Sequence, residues 1–275
     1  MIAFPQCKIN LGLYIERRRP DGYHDIATVM FPVGWTDVLE IVPGKGQETR
    51  LFCYGRPVDC PTEKNLVIKA FRELEKAVGS LPPVDIYLEK IVPDGAGLGG
   101  GSADAAATLL ATDKLLGLGL GSGRLAEIAA SIGADCPLFI YGRPMLATGT
   151  GTTLEAIDMN LHGLTLLIAK PRCCSVSTAA AYAGVKPSGP APDLHEILSL
   201  DVSLWRDCLK NEFEPSVFAL APEIGQLKQQ MYDVGAMYAA MSGSGAAVFA
   251  LFSDREAADR LHETLSGFDC YCAEL

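Results

Sequence analysis

Long apolar runs, paired cysteines and clustered histidines are absent from this sequence. No apolar stretch approaches the roughly 20 residues of a membrane-spanning helix, and the opening MIAFPQCK lacks the basic segment and apolar run of a secretory signal. The 9 cysteines form no C-x-x-C pair, and the 4 histidines are scattered. We therefore expect reduced thiols in a cytoplasmic protein without a structural metal.

Positive charge is also in short supply. Lysine and arginine number 23 against 33 acidic residues, a formal net charge of −10. Such a chain repels phosphate backbones, so no nucleic-acid partner is expected, although backbone amides in one loop can still hold a small anion. The 275 residues, 49% of them hydrophobic, suffice for a sizeable core and predict roughly two domains.

Apolar periodicity predicts a mixture of strands and helices. Residues 7–15 alternate as a half-buried strand with Lys8 and Asn10 on its polar face. Other predicted strands cover about 36–42 and 49–54 as a meander, 84–88, 164–169, a hairpin over 236–241 and 246–252, and the C-terminal end. Predicted helices cover about 65–78, with Thr62 as a candidate cap, 102–116, 123–132, 211–219, 222–233 and 254–265.

No strict alternation of strand and helix runs through the chain, which favours an α+β class over a doubly wound sheet. The stretch after Thr148 and residues 184–192 are predicted to be loops. We place the domains at 1–160 and 161–275.

The segment from Pro93 to Ala106, PDGAGLGGGSADAA, carries the strongest functional signal. Five glycines within seven positions precede a helix, so the backbone can approach a ligand closely. The first-turn N–H groups of that helix have no internal partner and favour an anion, most simply a phosphate. Ser102 either donates its hydroxyl to that phosphate or caps the helix, with Asp104 reaching back to the first turn.

Three familiar phosphate loops do not fit this segment. Gly95, Gly97 and Gly100 satisfy G-x-G-x-x-G, but no acidic residue follows after about 20 positions, so a dinucleotide oxidoreductase is only a weak alternative. The loop has no lysine, which excludes a Walker A motif. The chain also lacks the H-R-D and D-F-G motifs of protein kinases.

Three segments together resemble the GHMP kinases: KINLGL at 8–13, the glycine loop from Gly95 to Ala106, and MSGSGAAVF at 241–249. Four shorter segments make the resemblance specific to one kind of enzyme within this family. They are DGYH at 21–24, NLVIKA at 65–70, GADCP at 133–137 ahead of an expected strand, and NEFE at 211–214. The resemblance spans residues 4 to about 252. It implies two α+β domains with the active site in the cleft between them.

The resemblance also implies an activity. ATP would sit over the glycine loop with Mg²⁺ carried by its phosphates, and no metal ligand from the protein is expected. The γ-phosphoryl group would pass to the 2-hydroxyl of 4-diphosphocytidyl-2-C-methyl-D-erythritol, in the non-mevalonate isoprenoid pathway. The partner is thus a small molecule, and the choice between monomer and homodimer stays open.

Site residues follow from the same resemblance. Asp135 is similar to the catalytic base and Lys8 to a lysine beside it; the alternatives are a turn aspartate before Pro137 and a lysine on the solvent face of a strand. The residues implied for nucleotide binding are Asn65, Pro93, Gly95, Gly97, Leu98, Gly99, Gly100, Gly101, Ser102 and Ala103. Those implied for substrate binding are Asn10, Tyr23, His24, Tyr182, Ser242 and Gly243. Four of these residues or segments have an alternative explanation. Asn65 is equally explained as a helix cap, and the glycine turn at 242–245 as a plain hairpin turn. Asn10 can be a satisfied asparagine at a strand end, and Tyr182 a helix residue beside an alanine run.

The chain departs from the family pattern at two positions, and two rival functions stay open. Cys7 stands where the family often has alanine, and Thr152 where it often has glutamate. Another small-molecule GHMP kinase, such as a homoserine kinase, is one rival, although it would not need Tyr23 and His24 to stack on a base. A non-catalytic nucleotide-binding regulatory relative is the other, and the presence of both Lys8 and Asp135 argues against it.

Overall fold

The computed structural model describes residues Met1–Leu275 as two compact units, each built from separate stretches of chain. The first unit comprises Met1–Lys8, Pro32–Asp94 and Gly99–Arg143, and the second comprises Ile9–Phe31, Gly95–Leu98 and Pro144–Leu275. The predicted boundary at 160/161 does not coincide with this division. Residues 145–147 pair with residues 28–30 of the second unit, which assigns the chain from Pro144 onward to that unit.

The first unit combines a four-stranded sheet with four helices. The sheet has the order β1-β4-β6-β5, with strands β1 (Ile2–Ala3), β4 (Val38–Pro43), β6 (Val84–Lys90) and β5 (Arg50–Gly55). The helices are α1 (Leu66–Val78), α2 (Gly100–Leu116), α3 (Gly121–Ile132) and α4 (Cys136–Tyr141), with a 3₁₀ turn at Thr62–Lys64. One face of the sheet and the apolar sides of α1 and α2 share a core that includes Leu39, Ile86, Phe71 and Ala107.

Two more four-stranded sheets account for the remaining strands. One has the order β2-β3-β7-β8, with strands β2 (Gln6–Arg18), β3 (His24–Thr36), β7 (Met145–Thr148) and β8 (Thr153–Ala156). The other has the order β10-β11-β9-β12, with strands β10 (Tyr238–Met241), β11 (Val248–Phe252), β9 (Thr165–Pro171) and β12 (Phe268–Glu274). Every strand pair of this second sheet is antiparallel.

Six helices belong to the second unit: α5 (Thr178–Ala183), α6 (Leu194–Ser199), α7 (Trp205–Cys208), α8 (Glu214–Leu220), α9 (Pro222–Asp233) and α10 (Arg255–Thr264), with a 3₁₀ turn at Val202–Leu204. Their apolar sides pack with β9–β11 in a core that contains Phe213, Ile224, Met231 and Phe252. No helix of the structure has the length and apolar character needed to cross a bilayer. All nine cysteines are free thiols.

The α+β class is confirmed, and most predicted elements are present within a few residues. The hairpin forms as expected, with Met241 opposite Val248. The predicted meander is wrong, because β6 lies between β4 and β5 and pairs in parallel with β5. The long strand β3 and the short β8, which follows Thr148 where only a loop was expected, were not predicted.

Three helix starts also differ from expectation. Asn65 rather than Thr62 caps α1, because its side-chain oxygen accepts a hydrogen bond from Val67 N at 2.9 Å. The helix of the glycine loop starts at Gly100, so Ser102 lies inside its first turn and is not the cap. Helix α8 starts at Glu214, since the chain at Asn211 forms a bridge with Leu13 instead of a helical turn.

The segment after Asp135 is a helix, although its sequence CPLFIY favoured a strand. Pro137 lies in the first turn, where its missing N–H costs nothing, and Gly142 ends the helix in a left-handed conformation with φ of 61°. These two end signals outweigh the β-branched and aromatic composition between them.

Candidate active site

Lys8 and Asp135 form an ion pair in the first unit. Lys8 lies on β2 and only 3% of it is exposed. Its Nζ lies 3.7 Å from Asp135 Oδ2, and the Asp135 side chain is partly open to solvent. Burial lowers the pKa of the Lys8 ammonium, while the neighbouring Asp135 carboxylate opposes that shift. Lys8 therefore lies beside Asp135, as the resemblance implied, and it does not lie on a solvent face; the catalytic roles of the two residues stay predictions.

Asp135 occupies the residue before α4. No side chain caps this helix. The Asp135 carboxylate therefore does not hydrogen-bond the backbone of its own turn, as the alternative interpretation required. Gly133 is extended, and its carbonyl accepts a hydrogen bond from Cys136 N at 3.1 Å. The short G-A-D-C-P turn thus holds the carboxylate beside Lys8.

The glycine loop needs its glycines for backbone shape. Gly95, Gly97 and Gly99 have positive φ angles of 61°, 74° and 70°, a region that side chains with a Cβ rarely adopt. Gly99 is the left-handed N-cap of α2, and no side chain caps this helix. The first intrahelical bond runs from Ala103 N to Gly99 O at 2.9 Å, so the amides of residues 100–102 precede it. These amides are the donors that an anion would use.

Lys8 also contacts this loop. A Cβ built on Gly99 would lie 3.3 Å from Lys8 Cε and 3.1 Å from Phe139 Cζ. The Lys8 stem therefore runs past the N-terminus of α2 while its ammonium pairs with Asp135. One side chain joins the predicted base to the predicted phosphate site.

In the second unit, the glycine turn at 242–245 grips the first half of the glycine loop. Ser242 Oγ donates to Gly97 O at 2.9 Å, and Ala247 N donates to Ala96 O at 3.0 Å. A Cβ on Gly97 would lie 2.0 Å from Ser242 O, so only glycine fits there. The turn is therefore more than a plain hairpin connection. The Ser242 hydroxyl is engaged in holding the loop, and its contact with substrate stays a prediction.

Asn10 and Gly243 lie near the same turn. Asn10 is buried and its amide donates to Thr28 Oγ1 at 3.0 Å. A Cβ on Gly243 would lie 3.4 Å from Asn10 Oδ1. The structure brings these two substrate-binding candidates together, while their roles stay predictions.

The NEFE segment at 211–214 holds this turn in place through hydrogen bonds, a role that sequence reasoning did not assign. The Asn211 amide donates to Met241 O at 2.7 Å and to Gly243 O at 2.8 Å. Glu214 Oε1 accepts from Met241 N at 2.9 Å. The signal was available in the motif itself, since buried amides and carboxylates in a loop must find backbone partners.

The three aromatic residues predicted to recognise a base differ in their surroundings. His24 and Tyr182 stack directly, with ring centroids 4.7 Å apart and planes at 21°, so no base fits between them as they stand. Phe213 meets Tyr182 edge-on at 4.7 Å. Tyr23 is 68% exposed, and its turn is fixed by Asp21, which accepts a hydrogen bond from Tyr23 N at 3.1 Å.

The neighbouring arginine run is partly neutralised. Arg19 pairs with Asp25 at 2.9 Å and with Asp21 at 3.1 Å, and Arg17 also hydrogen-bonds Asp25. The charges of Arg17 and Arg19 are thereby engaged by carboxylates beside the Tyr23 turn.

A cavity of about 170 Å³ in the first unit lies beside the start of α2 and the cap of α1. Its lining includes Asn65, Leu66, Lys90, Gly101 and Asp104. Asn65 caps α1, as its alternative interpretation had it, and also lines this cavity. The cavity has the size of a small aromatic ring system and adjoins the loop predicted to hold phosphate.

Sequence reasoning missed the charged network at this cavity. The buried Lys90 ammonium hydrogen-bonds Asp104 at 2.8 Å and also Asp37. Burial disfavours this ammonium, but the two carboxylates prevail and raise the pKa of Lys90 to about 12. Burial raises the pKa of Asp104 to about 7, against the attraction of Lys90. A lysine at an inward position of a strand just before the glycine loop was the available signal.

Comparison with known proteins identifies the family of the chain. A family model described as the GHMP kinases N terminal domain matches residues 65–143, and one described as GHMP kinases C terminal matches residues 191–268. A protein of Parabacteroides distasonis, described as 4-diphosphocytidyl-2-C-methyl-D-erythritol kinase, is 49% identical over 92% of both chains. A Cytophaga hutchinsonii protein of the same description is 40% identical over the whole of both chains.

Solved structures give the same result. The crystal structure of a 4-(cytidine 5'-diphospho)-2C-methyl-D-erythritol kinase superposes with a TM-score of 0.84 at 32% identity, over 99% of this chain and 98% of that one. A homoserine kinase from Cytophaga hutchinsonii superposes with a TM-score of 0.72 over 98% and 94% of the chains, but at 21% identity it shows the fold alone. From its matching segments, its fold and these relatives, the chain belongs to the GHMP kinases.

Proposed function

We propose that the protein transfers the γ-phosphoryl group of ATP to the 2-hydroxyl of 4-diphosphocytidyl-2-C-methyl-D-erythritol. Relatives at 40–49% identity over most of the chain carry the name of this reaction. The observation that carries the proposal is the position of Lys8, whose ammonium lies 3.7 Å from Asp135 and whose stem contacts the Gly99 end of the glycine loop. Lys8 thus lies next to both the proposed proton acceptor and the proposed phosphate site, within one unit.

The residues present fit a nucleotide phosphate. The N-terminus of α2 has no side-chain cap, and its first amides offer donors to an anion at the positive end of the helix dipole. When bound, ATP with Mg²⁺ supplies the transferable phosphoryl group and a cation that offsets the phosphate charges. Asn65 and Gly101 would face its base, and the loop from Pro93 to Ala103 its phosphates.

Asp135 and Lys8 would then act on the hydroxyl. The Asp135 carboxylate accepts the proton of the attacking 2-hydroxyl as the new bond to phosphorus forms. The Lys8 ammonium keeps that carboxylate ionised beforehand and offsets negative charge in the transition state. Phosphoryl transfer depends mainly on positioning and electrostatics, so a buried lysine with little freedom suits the task.

The cytidyl group would be bound by the aromatic residues of the second unit. Tyr23 offers an exposed ring for stacking, and the imidazole edge of His24 can hydrogen-bond the polar edge of the base. Because His24 covers one face of Tyr182, Tyr182 serves first to hold the His24 ring in place. A second stacking contact from Tyr182 to the base requires His24 to move.

The test is ADP release in a coupled assay with ATP, Mg²⁺ and either 4-diphosphocytidyl-2-C-methyl-D-erythritol or homoserine. We expect turnover with the first substrate only, and its loss in Asp135→Asn. Turnover with homoserine would replace the substrate assignment while keeping the kinase. ATP binding without turnover on either alcohol would instead favour a regulatory relative. The nine free thiols agree with a reducing, cytoplasmic setting, which we include in the proposal.

A further inference from the structure

Two adjacent thiols and a carboxylate meet in the second unit, and none of the three residues is assigned to nucleotide or substrate. Cys173 is exposed and Cys174 is 5% exposed, and both lie in the segment between β9 and α5. Glu223 is the second residue of α9. Cys174 Sγ donates to Glu223 Oε1 at 2.6 Å, and the two Sγ atoms are 3.6 Å apart. The three ligand atoms all lie within 4.8 Å of one another.

The distance between the two sulfurs is close to that of two thiolates bound to one metal ion. Two thiolates on a tetrahedral zinc ion, each at about 2.3 Å, are separated by about 3.8 Å. The observed 3.6 Å is close to that value. A disulfide would require the sulfurs to approach to about 2.05 Å. The present geometry therefore suits a shared cation better than a bond between the thiols.

The carboxylate must withdraw slightly to become a third ligand. In a tetrahedral site a sulfur and a carboxylate oxygen lie about 3.5 Å apart, compared with the present 2.6 Å. Glu223 is partly exposed in the first turn of α9, so its side chain has room to withdraw by that amount. Its hydrogen bond to Cys174 already holds it on the correct side of the thiols.

We propose that Cys173, Cys174 and Glu223 form a binding site for one thiophilic divalent cation, Zn²⁺, with water as the fourth ligand. Thiolate ligands select soft or borderline cations and disfavour Mg²⁺ and Ca²⁺. Each thiol releases its proton to solvent when its sulfur binds the metal.

An occupied site would restrain a segment with two functional neighbours. Ser175 follows directly, and its Oγ would lie 3.8 Å from a Cβ on Gly95 of the glycine loop. Helix α5, which carries Tyr182, begins at Thr178. A cation on the two cysteines would tie this connection to the start of α9.

Cadmium serves as the spectroscopic probe, because its thiolate complexes absorb in the ultraviolet through sulfur-to-metal charge transfer. The reduced, chelator-treated full chain would be titrated with Cd²⁺ alone and the bound metal counted by mass spectrometry. We expect one Cd²⁺ per chain with the thiolate absorption, displaced by Zn²⁺ and indifferent to excess Mg²⁺.

Three variants locate the site. Cys173→Ser with Cys174→Ser should abolish the thiolate absorption, and Glu223→Gln should weaken Cd²⁺ binding by roughly tenfold or more, the scale on which ligand-shell changes act. Cys53→Ser with Cys60→Ser, which removes two exposed thiols of the first unit, should leave binding unchanged and is the matched control. Should the double variant fail to fold, Cys173→Ser alone replaces it, because this thiol is exposed.

Several results would overturn the proposal. Wild-type protein without thiolate–metal absorption has no such site. Absorption that survives the loss of Cys173 and Cys174, or disappears with Cys53 and Cys60, places the metal elsewhere. An unchanged affinity in Glu223→Gln removes the carboxylate from the ligand set and reduces the site to a pair of thiols.

Discussion

The ammonium of Lys8 lies 3.7 Å from the carboxylate of Asp135, with the lysine buried and the aspartate partly exposed. The lysine comes from a strand at the start of the chain and the aspartate from the residue before a six-residue helix. Solvent can reach the carboxylate of Asp135, as the hydroxyl proposed to react there would have to, while the ammonium of Lys8 stays in a low-dielectric environment.

Replacing Asp135 by asparagine should stop turnover and spare ATP binding. The amide keeps the size of the side chain but cannot accept the hydroxyl proton, so kcat should fall by roughly 10² or more. Steady-state kinetics with an ATP-binding titration checks this. Asp158→Asn, an exposed aspartate outside the site, is the control and should keep full activity. An unchanged kcat in Asp135→Asn would remove the residue from the reaction.

At alkaline pH, the activity should begin to fall at a lower pH than the ordinary pKa of a lysine would give. Burial lowers the pKa of Lys8 from 10.5, and loss of its charge removes support from Asp135. A kcat–pH profile measures this limb. Lys8→Arg, whose guanidinium stays charged, should have a lower kcat and no such limb. If the limb persists in that variant, another group causes it.

Gly99→Val should weaken ATP binding. The new side chain would meet Phe139 and Lys8 at about 3.1–3.3 Å from its Cβ, at a φ of +70°. Gly117→Val carries a similar φ of +64° in open space at the other end of the same helix. Calorimetric ATP titration of both separates crowding of the loop from backbone strain. Equal ATP affinity in the two variants would contradict the assignment of the loop.

Asn211→Ala should destabilise the protein by roughly 2 kcal/mol or more. The change leaves the carbonyls of Met241 and Gly243 without their buried donor, and each unsatisfied group costs about 1–3 kcal/mol. Urea unfolding measures the loss. Asn160→Ala, at an exposed turn where the side chain accepts only from His162 N, should cost much less. Equal losses of unfolding free energy in the two variants would show that the Asn211 hydrogen bonds contribute no more than that of an exposed turn.

Stability should depend on pH through Asp104. Its pKa is raised from 3.8 to about 7 in the folded protein, so the folded state keeps a proton that the unfolded chain has released. This contribution to the free energy of unfolding is complete below the unfolded pKa of 3.8 and is lost as the pH rises from there to about 7. Asp104→Asn removes it. Urea unfolding from acidic to neutral pH should show the wild type losing stability relative to this variant, and parallel curves would contradict the assignment.

Local sequence patterns predicted strands and helices well where the apolar periodicity and the residues at the ends of an element indicated the same structure. The alternation around Lys8 and Asn10 and the glycine turn at 242–245 identified β2 and the late hairpin. The segment CPLFIY misled because its composition favours a strand, while Pro137 and Gly142 at its ends define a helix. β6 pairs with both β4 and β5, and no local pattern specifies which strands become neighbours.

The site was less accessible to such reasoning. Nothing in spacing brings Lys8 to Asp135; only resemblance paired them, because tertiary contacts between distant segments leave no local trace. The Lys90 network with Asp37 and Asp104 went unnoticed for the same reason. The hydrogen bond from the Ser242 hydroxyl to Gly97 O was also not predicted, and the contact of Ser242 with substrate stays a prediction.

That bond from Ser242 to Gly97 joins positions 145 residues apart in the chain. The first half of the glycine loop is therefore synthesised well before its partners on the hairpin. Until those partners emerge from the ribosome, the nascent chain carries a glycine loop without the contacts that they supply. Any product truncated before residue 247 would lack the contacts that set the loop's shape, however well its earlier helices had formed.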